Sequence, residues 1–279
     1  MFTTIALLPF LLHGVSAALA VLIANASSRG IPLPLAWSLA PAVYVLSLCL
    51  GAVLTARPCA SRIREGRFQR TPADRDYLAR RVHGAAWTTL YYCKPVLALV
   101  LAVRPLRALV LRGFGYRGSL DVTLYPDTWV RDLPLLDLGP GVYVSNRATL
   151  GTNVVDGDRI IVSGIRLGAR TVIGHLAMVG GGLTAGADVE VGQGAAIGFR
   201  VRIGDCTYIG PCARVGHASR IGSHVTLGHG VILGDRCRLS DHLQLPDGLL
   251  VPAGTRLRTQ ADVDQLLGRP ERREFALAG

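Results

Sequence analysis

Charged residues are missing altogether from Met1 to Ser28. Acidic residues stay scarce through the first 118 positions, which hold 3 Asp/Glu against 14 Lys/Arg. Lysine is nearly absent too: Lys94 is the only one, so the basic charge is arginine. The six cysteines, Cys49, Cys59, Cys93, Cys206, Cys212 and Cys237, include no Cys-x-x-Cys pair, which argues against both a zinc knuckle and a disulfide scaffold. Disorder is excluded by the composition of the 279 residues, 50% hydrophobic and 18% charged with a mean hydropathy of +0.37.

The net charge of +11 lies wholly in the front part, because residues 119–279 balance 16 basic against 16 acidic side chains. A nucleic-acid binder would carry such an excess on its Gly-rich folded domain, so the charge reads as contact with anionic lipid headgroups. The run TIALLPFLLHGVSAALAVLIA is long enough to cross a hydrocarbon layer ~30 Å thick. No basic residue precedes Arg29, which argues against a cleaved signal peptide. A second uncharged run extends from Gly30 to Ala56. The expected membrane region is 1–118, with spans at about 3–24 and 33–56 and a basic cytosolic loop over 57–83. An interfacial or re-entrant helix is expected over 84–112, since both its flanks are basic. This places the chain in the cytoplasmic (inner) membrane as a multi-pass protein with its C-terminal domain in the cytosol.

Beyond Gly118 an internal period of six decides the fold. Aliphatic residues recur at every sixth position from Leu167 to Val251, and the next residue is Gly at each step from Gly168 to Gly234. A second set of small or aliphatic residues, from Thr171 to Thr255, follows four positions after the first. Two inward positions per six residues fit one short strand and one corner, so the domain over 119–255 is a stack of coils ~4.8 Å apart. Earlier units, Leu138-Gly139 to Leu150-Gly151, are out of phase with Leu167, so an excursion is expected near Val154 to Ser163. Residues 256–279 read as a C-terminal cap and tail, with a short amphipathic helix at Gln260 to Leu267.

The units of the form aliphatic-Gly-X-X-small-X resemble the hexapeptide repeat of the left-handed parallel β-helix acyltransferases over about Leu138 to Thr255. The order of parts, membrane helices before the repeat, resembles the membrane-attached hexapeptide-repeat C-terminal region of poly-lysine-synthetase-type peptide synthetases. Such a region would carry a His-containing stretch where this chain has Asn153. The resemblance implies a mainly β fold, a left-handed parallel β-helix behind N-terminal transmembrane and interfacial α-helices, and assembly as a homotrimer. It also implies acyl transfer from a CoA or carrier-protein thioester to a hydroxyl or amine of a cell-envelope, lipid-linked or peptide acceptor. The thioester is a co-substrate, and no bound cofactor is expected. Membrane lipids and a peptide-synthetase or carrier protein are the implied partners.

Such chemistry needs a general base near neutral pH, for which His is the natural group. His175, His217 and His229 all stand two residues after the aliphatic position, in the contexts IGHLAMVG, VGHASRIG and LGHGVILGD. The last two resemble the aliphatic-small-His segment that carries the catalytic His of lipid A precursor and sugar-amine acyltransferases. His229 is preferred as the base over His217, with His175 third. Asn153, Asp156 and Asp158, in the phase-shift region, are candidate substrate-binding residues. No metal is expected, although IGHLAMVG resembles a ligand segment of γ-type carbonic anhydrases in which Gly180 replaces a ligand. The non-catalytic alternative is a membrane-anchored trimeric scaffold of a biosynthetic complex.

Overall fold

The computed structural model describes residues 2–268, and the tail over 269–279 lies outside the described residues. Helix α1 (Phe2–Ser27) is followed by α2 (Leu33–Ser38) and α3 (Ala40–Ala60). Two stretches, Ile5–Ser27 and Leu33–Ala60, are long and apolar enough to cross a membrane. Their outer surface stays apolar: Phe10 is 75% and Leu54 62% exposed, which an aqueous surface would not favour.

The basic stretch over 57–83 is not the open loop that its charge suggests. Helix α3 runs on to Ala60, Gly66–Gln69 forms a strand, and α4 (Arg75–Tyr92) begins where the Asp74 carboxylate accepts from the N–H groups of Asp76 and Tyr77. The segment over 84–112, expected as an interfacial or re-entrant helix, is divided among three helices. Helix α4 bends by 92° into α5 (Lys94–Ala102), and α6 (Arg104–Gly113) follows. Pro95 and Pro105 explain the breaks, since a proline is tolerated in a first turn but cannot continue the helix before it.

The repeat winds as a parallel β-solenoid with three strands per coil. Partners are 18 residues apart: Arg202 pairs with Arg220, Tyr208 with Thr226 and Arg214 with Ile232. Each regular strand contributes one outward and one inward residue. The inward residues from Leu167 to Leu257 are all buried and join one core with the helix residues Leu48 and Trp87 and with Phe114, which follows α6. The stack begins with Val122–Leu124 paired to Val142–Val144, ahead of the first hexapeptide unit at Leu138. The expected excursion is a hairpin, Asn153–Asp156 with Arg159–Val162, to which Gly66–Gln69 adds a third antiparallel strand. At the far end α7 (Gln260–Leu267), opened by a Thr259–Asp262 capping box, buries Val263 against the last coils.

Two backbone demands produce the six-residue rhythm. At the Gly after each inward aliphatic residue the next coil leaves no room: a Cβ on Gly216 would lie 2.4 Å from the carbonyl carbon of Gly234. Two residues further on, every corner from Arg170 to Gly254 holds a positive φ, between +53° and +80°. Most of these residues are not glycine, so the strain of ~1 kcal/mol or more per corner is borne by the ladder, in which Ala218 N–H donates to Phe199 O at 2.8 Å and Arg236 N–H to His217 O at 2.8 Å. Gly216→Ala is therefore expected to lower stability by about 3 kcal/mol, whereas Ala218→Gly raises it by ~0.5 kcal/mol. Thermal unfolding of the detergent-solubilised chain checks both signs, and equal losses would refute this account of the corner.

Candidate functional site

Because every coil repeats the one below it, each outward position becomes a column running the length of the solenoid. The three faces carry different columns. One presents Thr149, Met178, Ala196, Arg214, Ile232 and Leu250, and is mostly apolar. The next in chain order presents Arg166, Thr184, Arg202, Arg220, Arg238 and Arg256. The third presents Val172, Glu190, Tyr208, Thr226 and Gln244. A shallow cavity of about 380 Å³ lies on the apolar face, lined by Met178, Ile197, Phe199, Arg214 and His217.

The candidate histidines stand at corners rather than on the faces. His175 and His229 share the corner that leads into the apolar face, three coils apart, or ~14 Å at the stacking distance. His217 stands at the opposite edge of that face, at the corner leading to the arginine face. The three histidines are therefore not brought into one cluster. Among the described residues no group of three His, Cys, Asp or Glu stands close enough to hold a metal. His224 and His242 do stack, with ring centres 4.9 Å apart, at the third corner.

Corner chemistry separates His217 from His229. At this point of the repeat a polar side chain caps the backbone N–H one coil below. Asp205 accepts from Ala187 at 2.8 Å, Asp235 from His217 at 2.6 Å, Asp241 from Ser223 at 2.7 Å and Asp247 from His229 at 2.8 Å. His217 does the same work: its Nδ1 accepts from Phe199 N–H at 2.9 Å, with the rings 5.7 Å apart. In a neutral ring that bond leaves the proton on Nε2, so His217 offers a donor and no free lone pair. Below His229 stands Pro211, which has no N–H to give, and neither ring nitrogen of His229 has a hydrogen-bond partner among the described residues. His229 is exposed and keeps a lone pair available. Pro211 went unnoticed in the sequence, although its position 18 residues before His229 was the available signal.

Asn153, Asp156 and Asp158 lie on the hairpin. Asn153 begins it, and its side-chain oxygen accepts from Arg80 at 2.6 Å. The same Arg80 meets Asp132 through bonds of 3.0, 3.0 and 2.6 Å, both side chains being buried, and Asp132 also accepts from the Thr152 hydroxyl. Asn153 thus belongs to the joint between α4 and the first coils. Asp156 and Asp158 are exposed at the hairpin tip, where Asp158 O accepts from Arg70 N–H at 2.9 Å. None of the three lines the cavity beside His217. Burial pushes the thiol of Cys237 up, which keeps it protonated and unsuited to nucleophilic work.

The repeat and its geometry define the class: a hexapeptide-repeat parallel β-helix behind helices long and apolar enough to span a membrane. No protein-family model and no curated protein matches the chain. Among solved structures it is similar to a mutant perosamine N-acetyltransferase from Caulobacter crescentus in complex with CoA and GDP-perosamine. That match has 18% identity over 58% of each chain and a TM-score of 0.30. It is similar also to the acetyltransferase domain of PglB from Neisseria gonorrhoeae, with 18% identity, 55% of this chain, 63% of that one and a TM-score of 0.28. A third is a UDP-N-acetylglucosamine acyltransferase from Francisella novicida, with 20% identity, 47% of this chain, 50% of that one and a TM-score of 0.26. The chain spans less than two thirds of the length of each.

The Arg80 joint has a direct test. Asp132→Ala leaves a buried guanidinium without its counter-charge and is expected to cost about 3–5 kcal/mol, while Asn153→Ala costs about 1–2 kcal/mol. Thermal unfolding measures both. A stability unchanged in Asp132→Ala would show that Arg80 finds its partner elsewhere.

Proposed function

We propose that the protein is a membrane-anchored acyltransferase. It moves an acyl group from a CoA or carrier-protein thioester to a hydroxyl or amine of a cell-envelope, lipid-linked or peptide acceptor, on the cytosolic side of the inner membrane. The resemblance of the hexapeptide repeat supplies the reaction class, and the ring of His229 above Pro211 is the observation that supports a base within it. The unpartnered ring takes the acceptor proton as the nucleophile attacks the thioester carbonyl, then returns it to the departing thiolate. His217, fixed by Phe199, presents Nε2–H at the rim of the apolar cavity, in the protonation suited to a developing oxyanion. His229 and His217 border opposite edges of the apolar face, an arrangement that suits a substrate held between two copies in the homotrimer that the resemblance implies. His175, above Asn146, is the third candidate for the base. Of the three candidates for acceptor binding, Asp156 and Asp158 are free to meet an acceptor at the hairpin tip, whereas Asn153 is engaged by Arg80 at the hairpin's base.

A screen of acyl-CoA donors and amine or hydroxyl acceptors, read by mass spectrometry on the detergent-solubilised chain, tests this reading. His229→Ala is expected to reduce turnover by about 10²–10⁴-fold. Pro211→Ala supplies an N–H that captures the His229 ring, and reduces turnover by ~10-fold. His217→Gln, which keeps a donor near the Nε2 position, stays within ~10-fold of the parent, whereas His217→Ala falls by ~10²-fold. Full activity in His229→Ala overturns the assignment of the base. Absence of transfer with every donor would favour the non-catalytic scaffold, a role in which His217 serves only as a corner cap.

A further inference from the structure

The arginine face carries a second cavity, of about 440 Å³, between the solenoid and the hairpin ribbon that Gly66–Gln69 completes. Arg67 enters from the ribbon, Arg166, Arg202 and Arg220 from the face, and Arg200 from the adjoining corner. The carboxylate in this lining is Glu65, 3.8 Å from Arg166. No described acid pairs with Arg67, Arg200, Arg202 or Arg220. Arg202 and Arg220 are direct register partners, and Arg238 and Arg256 continue the column beyond the cavity. Like charges directly opposite on neighbouring strands repel, so the column is destabilising unless something anionic covers it.

Five guanidinium groups against one carboxylate, around so small a space, call for a ligand that concentrates several negative charges. Phosphate groups do this, with up to two charges each, and their oxygens match the guanidinium fork. A single carboxylate would leave most of the charge uncompensated. We propose that this cleft binds a molecule bearing two or more phosphate groups, supplied either as a soluble di- or triphosphate compound or as clustered anionic lipid headgroups. The corner that carries His217 separates this cleft from the apolar cavity: His217 lines one and Ala218 the other. The phosphate-bearing part of a ligand and an acyl chain would then lie on either side of one ridge. The anion site depends on the cavity, its charge and the strand register, and is independent of acyl transfer.

The test is binding of inorganic tripolyphosphate to the full-length chain in zwitterionic nanodiscs, followed by calorimetry and thermal unfolding. Saturable binding is expected, together with a rise in Tm. The double variant Arg202→Gln, Arg220→Gln should weaken binding at least tenfold, while its Tm without ligand rises because the repulsion is relieved. Arg256→Gln, in the same column but outside the cavity, serves as the control and should change affinity less than twofold. A higher Tm in nanodiscs containing phosphatidylglycerol than in zwitterionic ones, lost in the double variant and kept in Arg256→Gln, identifies lipid headgroups as the source, and no such rise identifies a soluble compound. No binding, or equal weakening in the control and the double variant, overturns the proposal, the latter by reducing the cleft to unspecific surface charge.

Discussion

The constraint on which the whole structure rests is the parallel ladder that holds each coil in register 18 residues above the last. It forces inward side chains to stack on inward ones, fixes a left-handed backbone at every corner and leaves no Cβ room at the glycines. It has a chemical consequence as well. A residue's environment is set less by its sequence neighbours than by whatever stands 18 places before and after it. Phe199 below His217 and Pro211 below His229 illustrate this, since two histidines in matching hexapeptide positions acquire opposite hydrogen-bonding states from one N–H.

This explains which parts were legible in the sequence. The six-residue step from Leu167 to Val251 needs no knowledge of coil length, and it located the solenoid, its interior and the phase break that became the hairpin. The charge-free runs before Arg29 and from Gly30 likewise marked the two long apolar stretches. The basic segment after Arg57 was misleading because charge alone does not reveal that Gly66–Gln69 will find the edge of a hairpin some ninety residues away. Only the tertiary pairing shows that.

The site was less legible, for a related reason. The three histidines were found from their shared place in the hexapeptide, but their differences depend on the coil below. The arginine column was invisible to regional charge counting, because residues 119–279 are balanced as a whole, 16 against 16. The balance hides a segregation. Acids such as Asp205, Asp235, Asp241 and Asp247 are spent at corners as caps for backbone N–H groups, whereas arginines occupy the outward strand positions of one face.

That segregation follows from what each side chain can reach. A short Asp at a corner lies within hydrogen-bond distance of the N–H one coil down, and its charge is tied into the backbone. A long Arg at an outward strand position, such as Arg202 or Arg220, is exposed beside its register partner and keeps its charge for solvent or for a ligand. One face of a nearly neutral domain thereby acquires a strong positive field without any net excess. The same geometry sets the apolar face beside it, across a ridge formed by Phe199, Arg200, His217 and Ala218. Two surfaces of opposite character, one apolar and one basic, then meet along a single corner.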